Sequence, residues 1–313
     1  MRLPLIRTFL LQLSENKRLA PLIMKNAISR RVARRFVAGE TLDDAIEAAR
    51  EVNRTKRSAS LDLLGENVSD EAGAQRAAEG YLAIFDRIAR EKIDANVSLK
   101  LTQLGLDLGE PHCQTLLEGI VAHAAELGNF VRIDMESSAY TERTVEIAKR
   151  VRAKYSNVGT VMQAYLYRAE QDVKGLLNAG CRMRLCKGAY KEPPDIAFPK
   201  KEDVDANYIQ LMKLLLPSGI YHGIATHDPA MILATKDFVR ERNIGREKFE
   251  FQMLYGIRTD LQEALVREGY RLRVYIPFGT DWFPYFMRRL AERPANLAFF
   301  LRNLLPQSRG ASA

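Results

Sequence analysis

From residue 58 onward the chain alternates short runs of β-forming residues with longer amphipathic segments. Eight runs read as strands: 58–64 (SASLDLL), 97–101 (VSLKL), 130–134 (FVRID), 159–165 (GTVMQAY), 181–186 (CRMRLC), 221–226 (YHGIAT), 249–254 (FEFQML) and 272–276 (LRVYI). Helix-length segments separate most of them, at 70–92, 111–127, 141–154, 169–178, 229–242 and 260–268. Asp70 and Thr141 are the expected N-caps, with Glu71 and Glu142 placed in the first turns to meet the helix dipole. This alternation fits a closed (β/α)8 barrel or a doubly wound sheet. Neither GxGxxG nor GxxxxGK[ST] occurs, which favours the barrel over the nucleotide-binding open sheets.

The first 57 residues stand outside the repeat and read as helices at about 5–14, 20–38 and 41–53. The last is capped by Thr41, with Asp43 and Asp44 behind it. No Pro/Gly/Ser linker follows, so residues 1–57 are expected to be a helical appendage on a barrel formed by 58–313.

Strand side chains alternate between faces. In 97–101, Val97, Leu99 and Leu101 oppose Ser98 and Lys100; in 130–134, Val131 and Ile133 oppose Arg132 and Asp134. Met183 and Leu185 oppose Arg182 and Arg184, and Leu272, Val274 and Ile276 oppose Arg273 and Tyr275. The outer face of a barrel strand packs on the helix ring and must be apolar, so the polar sets point inward. The inward set therefore includes Lys100, Arg132, Asp134, Arg182, Arg184, Glu250, Gln252 and Arg273. Buried charges must pair or line a cavity with a polar ligand. Ion pairs plugging the lower barrel are the expectation for Arg132, Arg182, Arg273 and Glu250. The strand ends, where catalytic groups sit in this fold, carry Lys100, Asp134, Gln163, Arg184, Thr226 and Tyr275, with Lys187 to Tyr190 in the next loop.

Composition alters the picture mainly at one end. Over 313 residues, 47% apolar and 27% charged residues allow a sizeable core and exclude disorder. The net charge of +8 is concentrated in residues 1–60, which hold 13 Lys/Arg against 6 Asp/Glu. RRVARR at 30–35 is the densest cluster and reads as a solvated helix face or a contact with an anionic membrane. It lacks interleaved aromatic residues, so no nucleic-acid partner is expected. No run of eighteen apolar residues is present, and the start lacks a cleavage-site pattern, so a cytoplasmic protein is expected. Cys113, Cys181 and Cys186 form no CxxC pair, and His222 and His227 are spaced wrongly for a shared metal. GxSxG and HExxH are absent, so no metal is expected.

Near the end, Arg288 and Arg289 are adjacent and diverge by about 100° on a helix. Spacing alone pairs both with Glu292 on the helix surface. A fork for a carboxylate is the alternative, a task that suits guanidinium geometry.

In order, VSLKLTQLG, RIDMESS, VMQAYLYR, RLCKGAYKEP, IATHDP, FEFQMLYGIR and RVYIPFGTDWFPYFMRRLAE resemble the proline dehydrogenase family. The likeness extends over about residues 58–300 and includes the barrel domain of the bifunctional proline utilisation flavoprotein. It implies a distorted (β/α)8 TIM-type barrel with its final helix over the mouth. It also implies FAD-dependent oxidation of L-proline to 1-pyrroline-5-carboxylate by hydride transfer to flavin N5, the first step of proline catabolism, with electrons passed to a quinone. Peripheral contact with an anionic membrane at its inner face would follow, as would a link to pyrroline-5-carboxylate dehydrogenase. By motif, Asp134 and Arg184 fall at the catalytic centre. Lys100, Arg288 and Arg289 would hold the substrate carboxylate, with Tyr190 and Tyr275 around its ring. Met135, Gln163, Arg184, Lys187, Gly188, Ala189, Thr226 and His227 fall on the cofactor. A final helix over the mouth would bring both arginines to one small ligand, which overturns the Glu292 pairing.

Two departures bear on flavin packing or redox poise: Tyr255-Gly256-Ile257 stands where bifunctional members have His-Gly-Met, and Cys186 stands where an aliphatic residue is commoner. Two rivals remain at this level. One is a Schiff-base aldolase using Lys100 or Lys187, and the other a non-catalytic binding barrel.

Overall fold

A computed structural model describes residues 32–292. Eight parallel strands close in sequence order, with β8 returning to β1. They are β1 Ser58–Leu63, β2 Ala95–Leu99, β3 Val131–Ile133, β4 Val158–Gln163, β5 Arg182–Cys186, β6 His222–Ala225, β7 Phe249–Leu254 and β8 Leu272–Phe278. The helices are α1 Leu42–Arg54, α2 Glu71–Glu91, α3 Glu110–Glu126, α4 Ser138–Lys154, α5 Ala169–Asn178, α6 Lys201–Leu215, α7 Pro229–Glu241, α8 Thr259–Arg267 and α9 Trp282–Glu292. The expected α/β barrel is therefore the fold.

The inside–outside reading of the strands holds. Leu61, Val97, Leu99, Val131, Ile133, Met183, Leu185, Val274 and Ile276 are buried in one core with the apolar faces of the surrounding helices. Ser60, Ser98, Lys100, Arg132, Asp134 and Arg184 are buried on the other face.

Asp70 caps α2 by accepting from the Gly73 N–H, and Thr41 forms a capping box with Asp44 at the start of α1. Thr141 is not a cap. The helix begins at Ser138, and Thr141 is buried within its first turn. Glu192, from the loop after β5, takes the Ser138 N–H at 2.8 Å and supplies the acceptor that a cap would have supplied. The pattern left the stretch after β5 unassigned. Helix α6 occupies it, burying Tyr208, Leu211, Met212 and Leu215 at helical spacing.

The expected helix at 5–14 lies outside the described residues, as does most of that at 20–38. Helix α1 packs on the outside of β1 and β8 and shares the main core through Ala45, Ile46, Ala49 and Val52. A second apolar cluster joins Val32, Ala33, Phe36 and Val37 to Trp282, Phe283, Phe286 and Met287 of α9. The Ala38 N–H donates to the Pro277 carbonyl at 2.9 Å, and Trp282 Nε1 donates to Glu40 at 3.1 Å. With α1 on the wall between β8 and β1, α9 lies across the carboxyl ends of the strands.

Candidate active site

At those carboxyl ends lies a cavity of about 520 Å3. Every residue assigned above to catalysis, substrate or cofactor lines it: Lys100, Asp134, Met135, Gln163, Arg184, Lys187, Gly188, Ala189, Tyr190, Thr226, His227, Tyr275, Arg288 and Arg289. The carboxyl ends of β2 to β6 and of β8 contribute the first group, the loop after β5 the 187–190 stretch, and α9 the two arginines.

Arg184 is the hub. Its Nη1 donates to Asp134 Oδ1 at 2.7 Å, its Nη2 to Ser98 Oγ at 3.0 Å, and its Nε to Gln252 Oε1. Gln252 in turn donates to Glu250 at 2.6 Å. A side chain at Gly223, beside Arg184 in the ladder, would strike the Gln252 amide, so this glycine makes room for the support of Arg184. Asp134 also accepts from the Tyr275 hydroxyl at 2.8 Å, and the Arg184 guanidinium lies 5.1 Å from the Tyr275 ring centroid. The carboxylate is held from two sides, so its position at the mouth is fixed.

Lys100 donates to both oxygens of Asp62, at 3.1 and 3.3 Å. Burial opposes its charge, yet Asp62 and Asp134 outweigh that and hold its pKa well above the ordinary lysine value. A Schiff-base lysine needs the opposite shift. Lys187 lies between Asp205 and Asp228, donating to the latter at 2.7 Å. Neither lysine suits the aldolase rival.

Arg288 donates to Glu66 Oε1 at 3.0 Å, on the loop after β1, and Arg289 lies 5.0 Å from the Tyr285 ring centroid. The Glu292 side chain lies outside the described residues. Gly188 has φ +126° and its missing side chain leaves room for the Tyr165 ring, which sets the course of the 187–190 loop. Gln163 donates its amide to the Glu136 carbonyl at 2.9 Å, leaving its own oxygen for the cavity. His227 Nε2 accepts from the Leu254 N–H at 2.9 Å, so the imidazole is neutral with its proton on Nδ1.

Asp62, Glu66, Gln252 and Tyr285 join the site without having been assigned to it. Alternation in β1 sets Ser58, Ser60 and Asp62 on one face, which marks Asp62 as inward-facing. Tyr285 lies three and four residues before the arginine pair, on their side of α9. Glu66 carries no periodic signal. The lower barrel corrects another expectation. Arg273 and Glu250 do pair, at 2.7 Å, whereas Arg132 donates to the Thr160 and Arg182 carbonyls and Arg182 stacks on Phe130 and Tyr221.

Against known proteins, the family model described as proline dehydrogenase matches residues 45–302. The chain belongs to the proline dehydrogenase family. It is 44% identical over 301 residues to proline dehydrogenase 1 of Bacillus subtilis (strain 168), covering 96% of this chain and 99% of that protein. Proline dehydrogenase of Deinococcus radiodurans is 41% identical over 279 residues, with coverage of 88% and 90%. Among solved structures, proline utilization A from Bdellovibrio bacteriovorus, inactivated by N-propargylglycine, superposes with a TM-score of 0.80 at 28% identity. That match spans 88% of this chain and 34% of the other, so the likeness is to about one third of a longer protein.

Proposed function

We propose that the protein oxidises L-proline to 1-pyrroline-5-carboxylate at this mouth, with FAD as cofactor and a quinone as the electron acceptor. One observation carries the reading. In a proline dehydrogenase family chain, one cavity brings together three cations (Lys100, Arg288 and Arg289) and one immobilised carboxylate (Asp134), beside an apolar bed. Met135, Val161, Met253 and Leu254 supply that bed, which suits a flat ring system. Gln163, Thr226 and His227 supply polar groups at its edge, and Arg184 and Lys187 supply positive charge. These residues fit FAD; when bound, it accepts the hydride that leaves C5 of proline.

Lys100, Arg288 and Arg289 grip the substrate carboxylate, and their spread around the cavity fixes its orientation. Tyr190 and Tyr275 enclose the pyrrolidine ring. Loss of the hydride from C5 builds positive charge along the C5–N bond. Asp134, held by Arg184 and Tyr275, faces that charge without having to move, and so favours the transition state over the ground state. The amine proton leaves as the C=N bond forms. With α9 across the mouth, water is kept from the reacting centre.

The purified protein is expected to show a flavin absorption band. A colourless protein that traps a carbonyl substrate on borohydride treatment would instead restore the aldolase.

A quinone acceptor and pyrroline-5-carboxylate dehydrogenase as downstream partner belong to the same proposal. So does peripheral membrane contact through the basic cluster, of which Arg34 and Arg35 are exposed. No helix among the described residues is long and apolar enough to span a bilayer. Flotation with anionic vesicles should fall when Arg30, Arg31, Arg34 and Arg35 are neutralised; unchanged flotation, or none in the parent, removes the contact.

A further inference from the structure

The opposite, amino-terminal end of the barrel holds a second cavity of about 480 Å3. Asn96, Phe130, Arg132, Arg182, Glu250 and Arg273 are among its lining residues. Its charges do not balance: Lys92, Arg132, Arg182 and Arg273 stand against Asp94 and Glu250. Glu250 is taken by Arg273 at 2.7 Å and also accepts from Tyr221 at 3.1 Å and from Gln252. Arg132 and Arg182 form no ion pair among the described residues, although both flank the Phe130 ring, at 4.8 and 5.3 Å from its centroid. Two such cations lining one cavity attract a counter-ion.

The site is built rather than incidental. Arg132 is 4% exposed, and its guanidinium reaches across Gly159, where an added Cβ would lie 2.8 Å from Nη1 and 2.9 Å from Phe130. Arg132, Gly159 and Arg182 stand level in the ladder. Two polar atoms at this cavity are buried with no hydrogen-bond partner: Arg132 Nε, a donor, and Asn96 Oδ1, an acceptor. Buried groups of this kind are rarely left unsatisfied. Burial and the charge of Arg184 push Arg132 down to about 9, which still leaves it cationic at neutral pH.

We propose that this amino-terminal cavity binds a small oxyanion that also carries its own hydrogen-bond donor, of which monohydrogen phosphate is the simplest. Its negative oxygens meet Arg132 and Arg182, and its O–H meets Asn96 Oδ1. The requirement for a donor separates this class from sulfate or chloride, which offer none. The inference is independent of the chemistry at the carboxyl-terminal mouth.

The test is thermal unfolding of the holoenzyme in inorganic phosphate, sulfate and chloride at matched ionic strength and neutral pH. Phosphate should raise Tm by roughly 2 °C more than sulfate once the site is saturated. Arg182→Gln, at an exposed side chain that leaves the fold intact, should remove most of the phosphate effect; Asn96→Leu should abolish the preference over sulfate. Equal shifts in the three salts would overturn the proposal. So would a phosphate effect that survives Arg182→Gln, since it would place the ion elsewhere, including at the three cations of the opposite mouth.

Discussion

Asp134 is held from two sides at the mouth. It takes hydrogen bonds from Arg184 and Tyr275 and stands within reach of the charge on Lys100. Removing it leaves the apolar bed and the edge groups Gln163, Thr226 and His227 in place. Asp134→Ala should therefore retain bound flavin, seen by absorbance, while the rate of reduction by proline falls roughly 100-fold, the scale of one preorganised electrostatic group. An unchanged rate would take Asp134 out of the chemistry. Glu136 allows a test of a different kind. Burial outweighs the hydrogen bonds it accepts from Thr102 and pushes its carboxyl up to about 7, from an ordinary 4.5. The folded chain then holds a proton there that the unfolded chain has already lost. Stability from this group is therefore full below about 4.5 and declines as pH rises to about 7. Urea unfolding across that window should show a shallower decline in Glu136→Gln; an identical slope would contradict the assignment.

Elements show where a linear sequence carries enough information and where it does not. Strand alternation located the inward charges because the barrel wall admits only apolar side chains outside, a constraint that acts at every second residue. The same alternation applies to β1, where it turns Asp62 inward with Ser60. Thr141 has the chemistry of a cap, but the start of α4 was decided by Glu192, some fifty residues away in sequence, which no local signal reports. Arg288 and Arg289 were ambiguous for the same cause: spacing describes neighbours on a helix, not what the helix lies upon. Only the resemblance placed α9 over the mouth. The turn after β7 depends on a distant segment too. Gly256 has φ +69°, and a side chain there would collide with the Arg35 carbonyl. The glycine in Tyr255-Gly256-Ile257 thus lets the segment before α1 approach the barrel rim, where Phe36 and Phe286 pack with ring centroids 6.2 Å apart.

The molecule as a whole has one barrel and two polar ends. The carboxyl-terminal end gathers its charges into a paired and supported network beneath a helix. The amino-terminal end keeps two arginines beside one aromatic ring. We propose that the functional unit includes α1, because its apolar face belongs to the same core as β1 and β8 and replaces the ring helix that α9 would otherwise have been. Anaerobic titration of the purified protein with L-proline, followed by flavin absorbance, tests the central claim most directly. The parent protein should bleach in proportion to added proline with no cofactor supplied. Arg288→Ala and Arg289→Ala should each need about tenfold or more proline for the same bleaching, as expected when one charged hydrogen bond to the carboxylate is lost. A flavin that proline does not reduce, or arginine variants with unaltered proline dependence, would contradict the account.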